Sequence, residues 1–181
     1  MSPPETKASP PDALAAHLEA LERILAIQLA GHRELSACLG RKRESLRKAD
    51  LEAITGLCQK ENAIARRLGE AERQRVEIIR RLGERIEPGA ERPLTLRQIV
   101  EAKAPGPGGE ALLELAASLR EEVRSVRRES SIVTAAAEAL RKHVTGIMQS
   151  VNRAISRAGT YERRGRIAVG SQMDFCVDLK S

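Results

Sequence analysis

Apolar residues in this chain recur at every third or fourth position over three long stretches, and that spacing leaves little choice of fold. The first seam runs Leu14, Leu18, Leu21, Leu25, Gln28, His32, Leu35, Leu39, Lys42, Leu46 and Ala49. Such spacing puts one residue per turn on one side of an α-helix. Sustained over many turns, it is a coiled-coil-like stripe and not a short globular helix. Gln28, His32 and Lys42 interrupt the stripe with polar groups, which weaken packing and help fix register.

A second seam follows, from Leu51 through Ile54, Leu57, Cys58, Glu61, Ile64, Leu68, Ala71, Val76, Ile79 and Leu82 to Ile86. Asp50 stands in front of it as an N-cap. No Gly/Pro cluster separates the two seams, so the break at Lys48 to Leu51 is tight. That predicts an antiparallel helical hairpin. The stretch EPGAERP (87–93) ends the second helix, Thr95 caps a short one over 95–102, and APGPGG (104–109) reads as a flexible break.

The third long seam, predicted over 110–158, is the cleanest. It runs Leu112, Ala116, Leu119, Val123, Val126, Ser130, Val133, Ala137, Leu140, Val144, Ile147, Val151, Ala154 and Ala158. A partial second stripe holds Ile132, Ala135, Ala136, Ala139, Met148 and Ile155. One stripe suffices to pack on a hairpin, so the second is either a wider core face or a partner site. The expected fold is all-α: an elongated antiparallel hairpin plus a third long helix, in a three-helix, coiled-coil-like bundle. The expected organisation is a flexible leader over 1–11, a bundle over 12–158 with helices near 12–49, 51–86, 95–102 and 110–158, and a tail over 159–181. In that tail Met173, Phe175, Val177 and Leu179 alternate with polar residues or Cys176.

Composition narrows the function. Aromatic residues make up 1% of the chain, which argues against a mixed α/β core and against base stacking on single-stranded nucleic acid. The net charge is +6, yet the charges are mostly interspersed as on a solvated helical surface, so nucleic acid is not expected as a partner. Cys38, Cys58 and Cys176 are odd in number and lack a CxxC spacing, so neither a disulfide framework nor a zinc site is expected. No signal peptide or long apolar run is visible, and the expected location is the cytoplasm, without membrane insertion. There is no Walker loop, dinucleotide fingerprint or HExxH, and His17, His32 and His143 are scattered. No enzyme activity, cofactor or metal is therefore expected.

The second helix carries a family resemblance. Asp50-Leu51-Glu52-Ala53-Ile54, then Leu57, Lys60-Glu61, Ile64, Leu68, Glu72, Arg75, Ile79 and Leu82-Gly83, resemble the flagellar export chaperones of the FlgN type. The order of the rest agrees: an early leucine-rich helix, Leu94-Thr95-Leu96 after a Pro-containing loop, a third long helix and then Thr160-Tyr161. One departure is Glu162, where the family usually has Gly after the tyrosine. The resemblance implies a cytoplasmic chaperone for type III secretion whose clients are the hook-associated, hook–filament junction proteins. It would hold their C-terminal helical segments, prevent premature assembly and deliver them to the export gate. It also implies gate docking by the tyrosine at Tyr161. Client contact is expected on the third helix at Ile132, Met148 and Ile155, helped by Phe175 in the tail. The competing reading is a coiled-coil scaffold that self-associates as a homodimer.

Overall fold

The computed structural model describes residues 10–89 and 92–158. Among these, every regular element is helical: α1 (Pro10–Lys48), α2 (Leu51–Ile86), α3 (Leu96–Lys103) and α4 (Pro107–Ala158). The chain is an all-α helical bundle. It divides into two compact units, 1–135 and 136–181, with the boundary inside α4.

In the first unit, α1 and α2 form the antiparallel hairpin. Its turn is two residues long because Ala49 adopts a left-handed conformation, φ 53°. The Asp50 amide donates to the Ser45 carbonyl and the Ala49 amide to Leu46, which closes the end of α1 in a Schellman arrangement. Asp50 then starts α2, its carboxylate accepting from the Ala53 amide at 3.0 Å. One chain reversal thus needs no glycine, although an L-residue in this region is strained by about 1–2 kcal/mol.

The core is one apolar cluster drawn from all four helices. Leu21 and Leu25 of α1, Leu82 of α2, Ile99 and Val100 of α3, and Leu112 and Ala116 of α4 are buried together. Each large side chain removed from water in this way contributes about 1.5–3 kcal/mol. The short α3 is held by a capping box in which the Thr95 hydroxyl accepts from the Gln98 amide while the Thr95 amide donates to the Gln98 side chain.

Two starts differ from the sequence expectation. α1 begins at Pro10, so Asp12 lies inside the helix; a proline is tolerated in a first turn because its missing N–H has no intrahelical partner there. α4 begins at Pro107, so half of the expected flexible break is its first turn. Gly109 is what lets that turn sit down on α3. A Cβ at this position would fall inside the Ala104 carbonyl and 2.5 Å from Val100 Cγ1.

Two of the three polar interruptions of the α1 seam, Gln28 and Lys42, find partners on α2. Gln28 Nε2 donates to Glu72 at 2.9 Å, and the Lys42 ammonium meets Glu61 at 2.5 Å. Burial alone would lower the Lys42 pKa, but the Glu61 hydrogen bond and charge outweigh it and hold the pKa above its ordinary value. Glu34 bridges Lys60 and Arg67 across the same interface. Partners climb one helix as they descend the other, which is the register of an antiparallel pair.

Candidate functional site

The surface that stands out is apolar and lies on α4. Up to Val133 the helix buries one residue every few turns: Leu112, Ala116, Val126 and Val133. The Arg43 guanidinium meets Glu129 at 3.1 Å and ties this stretch to α1. From Arg141 to Ser156 every residue is exposed. Within that run Val144, Ile147, Met148, Val151 and Ile155 keep the same 3–4 spacing, and about half or more of each side chain faces solvent (50%, 50%, 47%, 49% and 64%). At about 3.6 residues per turn these five form one face of the helix.

The sequence expectation placed the surplus apolar surface on a second stripe beside the packed one. The structure divides the surface along the helix instead. Val144, Ile147 and Val151 belong to the main seam, expected to pack, and they are exposed together with Met148 and Ile155 of the second stripe.

Met148 and Ile155 are seven residues apart and share this face. Ile132 is 49% exposed but belongs to the first unit, one position before the buried Val133 and therefore on a different side of the helix there. Tyr161 and Phe175 lie outside the described residues. The signal that would have found Val144, Ile147 and Val151 was already present in their spacing; what was missing was any measure of how far coverage runs.

Other surfaces are less separable from the core. A groove of about 730 Å³ lies where Pro93, Leu94 and Leu96 pass Val76, Ile79 and Gly83. Its floor residues Ile79, Leu94 and Leu96 pack directly on the central cluster, so it is an opening onto the core. Near it Gln28, His32, Glu72 and Arg75 form a polar layer beneath Leu119 and Val123 of α4. Burial lowers the His32 pKa, partly offset by the charges of Glu122 and Glu72. His32 Nδ1 and Gln28 Oε1 have no hydrogen-bond partner. Cys38 is buried, its thiol donates to the Leu57 carbonyl, and burial pushes its pKa up, which disfavours the reactive thiolate. Among the described residues no cluster of three or more His, Cys, Asp or Glu is placed to hold a metal, and no helix is long and apolar enough to cross a membrane.

An exposed apolar face of this kind is a surface that another amphipathic helix can cover. A family model described as "FlgN protein" matches residues 17–168, most of the chain. No curated protein and no solved structure matches.

Proposed function

The chain belongs to the FlgN family and is a flagellar export chaperone, and from that premise we propose that its clients dock on the exposed face of α4. The clients are the C-terminal helical segments of hook-associated proteins, and the docking residues are Val144, Ile147, Met148, Val151 and Ile155. Ile132 adds exposed apolar surface upstream. The observation that carries this reading is the unbroken exposure from Arg141 to Ser156 of a stripe whose earlier turns are buried.

The physical logic is protection by burial. Amphipathic ends of filament subunits associate through their apolar faces, and a helix offering a matching face removes them from that equilibrium. Met148 suits such a surface because its unbranched thioether adapts to more than one client shape.

Magnitudes set the expected strength. Covering five half-exposed aliphatic side chains is worth about 4–7 kcal/mol in total, from about 1.5–3 kcal/mol for each full burial. A micromolar complex needs about 8 kcal/mol, after the cost of association. The strip therefore binds weakly without the matching face that the client itself buries, or without added contacts. In this reading Phe175 supplies such a contact, Tyr161 docks the loaded chaperone on the export gate in the cytoplasm, and hand-over succeeds because the complex is of moderate affinity.

The test is titration of a labelled hook-associated C-terminal peptide against the full chain and against Met148→Glu/Ile155→Glu. The double variant should lose at least tenfold in affinity while its helical circular dichroism stays unchanged. Unaltered affinity would remove this face from the client site. The scaffold reading makes a different prediction, a concentration-dependent homodimer that the same double variant dissociates.

A further inference from the structure

The apolar face of α4 lies in a setting of one charge sign. Residues 1–138 carry 23 Lys and Arg against 22 Asp and Glu, which is close to balance. From Ala139 to Ala158 there are four cations, Arg141, Lys142, Arg153 and Arg157, and no carboxylate at all. The chain's positive excess is therefore not spread along its helices. It gathers where the apolar side chains are exposed.

Upstream, cations are answered by neighbouring acids. Arg80 pairs with Glu77 and Glu84, Arg81 with Glu77, and Arg124 with Glu121. Among the described residues such pairs run as far as Arg128 and Glu129, and none involves Arg141, Lys142 or Arg153. Arg153 Nε donates to the Gln149 carbonyl, a contact inside its own helix.

Position decides which of these charges matters most. Arg141 precedes Val144 by three residues and Met148 by seven, so it borders the face on one edge. His143 precedes Ile147 by four and borders the other edge. Lys142 and Arg153 project from the far side of a helix about 10–12 Å across. That distance exceeds the Debye length of about 8 Å at physiological salt, so their field reaches the apolar face only in part.

Accepting the reading of this face as the client site, we infer that the segment it takes is an acidic amphipathic helix, one with carboxylates flanking its apolar stripe. Burial supplies the attraction, and the unpaired cations select among apolar helices of similar shape. A basic helix is repelled where it passes Arg141, a neutral one is tolerated, and an acidic one gives Arg141 an ion-pair partner, which Glu138, one turn before it, does not supply in the structure. Electrostatics of this kind act on specificity and encounter rate more than on total affinity.

The test uses three fluorescein-labelled 20-residue amphipathic peptides with one shared leucine repeat. Their flanking positions are all Glu, all Gln or all Lys. Each is titrated with the full chain, with Arg141→Glu, and with the neutral strip variant Met148→Ser/Ile155→Ser, at low salt and at high salt. Exposed pairs change affinity by about 1.5- to 5-fold each. The Glu peptide should therefore bind about five- to tenfold tighter than the Lys peptide, with the Gln peptide between. That spread should collapse in Arg141→Glu and at high salt. Equal binding of the three peptides, all weakened by the Ser substitutions, would overturn the acidic selectivity and leave the client face standing. Binding of all three that ignores the Ser substitutions would overturn both. So would a dimer of the free chain that those substitutions break apart. All three proteins should give the same helical circular dichroism, since every altered residue is exposed.

Discussion

Two stretches of the same helix, Leu112–Val133 and Val144–Ile155, carry the same apolar repeat and have opposite fates. In the first, Leu112, Ala116, Val126 and Val133 are buried, and an ion pair from Arg43 to Glu129 reinforces the contact with α1. In the second, five residues with the same spacing face solvent. Periodicity therefore reports that a helix has an apolar side. It does not report whether the same chain covers that side. The surroundings differ in a second respect: acids and bases alternate around the packed stretch, and only bases accompany the exposed one.

The sharpest way to break this comparison is to place one charge in each stretch. Val133→Asp puts an unpaired carboxylate in a buried site and should cost at least 3 kcal/mol in urea unfolding, enough to unfold much of a marginally stable chain. Val144→Asp should leave the midpoint within about 0.5 kcal/mol of wild type while weakening capture of a client peptide. Comparable destabilisation by both would mean that the second stretch is covered after all.

Truncation probes the same contrast with a smaller effect. Leu112→Ala removes a buried side chain from the four-helix cluster and should cost about 2–5 kcal/mol. Val151→Ala, on the exposed face, should lie within about 0.5 kcal/mol of zero in thermal or denaturant melts.

Gly109→Ala examines how α4 is anchored at its start. The added methyl meets the Ala104 carbonyl and Val100, so a loss of about 1–3 kcal/mol is expected, as for overpacking elsewhere. Client peptide affinity of the folded fraction should be unchanged, which separates the anchored end from the binding end.

The smallest effect is pH dependence under the packed stretch. Burial holds the His32 pKa below its ordinary 6.5 in the folded chain, so the unfolded chain binds the proton more readily. Folding stability should then decline as pH falls below about 6.5, and His32→Gln should flatten that slope. Glu72 and Glu122 face this ring and limit the effect. Client affinity measured over the same range should not follow the His32 titration.

Much of the fold could be read directly. The three long stripes, the caps at Asp50 and Thr95 and the tight reversal between Lys48 and Leu51 all follow from local chemistry, because caps and turns depend on side chains a few residues away. The start of α4 was harder. Pro107-Gly108-Gly109 has the composition of a linker, and only the close seat of Gly109 on Ala104 explains why it is a helical turn. Of the expected client residues, Met148 and Ile155 lie together on the exposed face, and Ile132 belongs to the unit before it.

The amino-acid sequence by itself determined that this chain is helical, where its turns fall and which side of each helix is apolar, since all three depend on neighbours within a few residues. Only the tertiary structure decided which apolar turns are covered, because burial depends on residues distant in the sequence, as where Leu21, Leu25 and Leu82 enclose Leu112 and Ala116. The surface we propose for the clients is what that packing leaves uncovered.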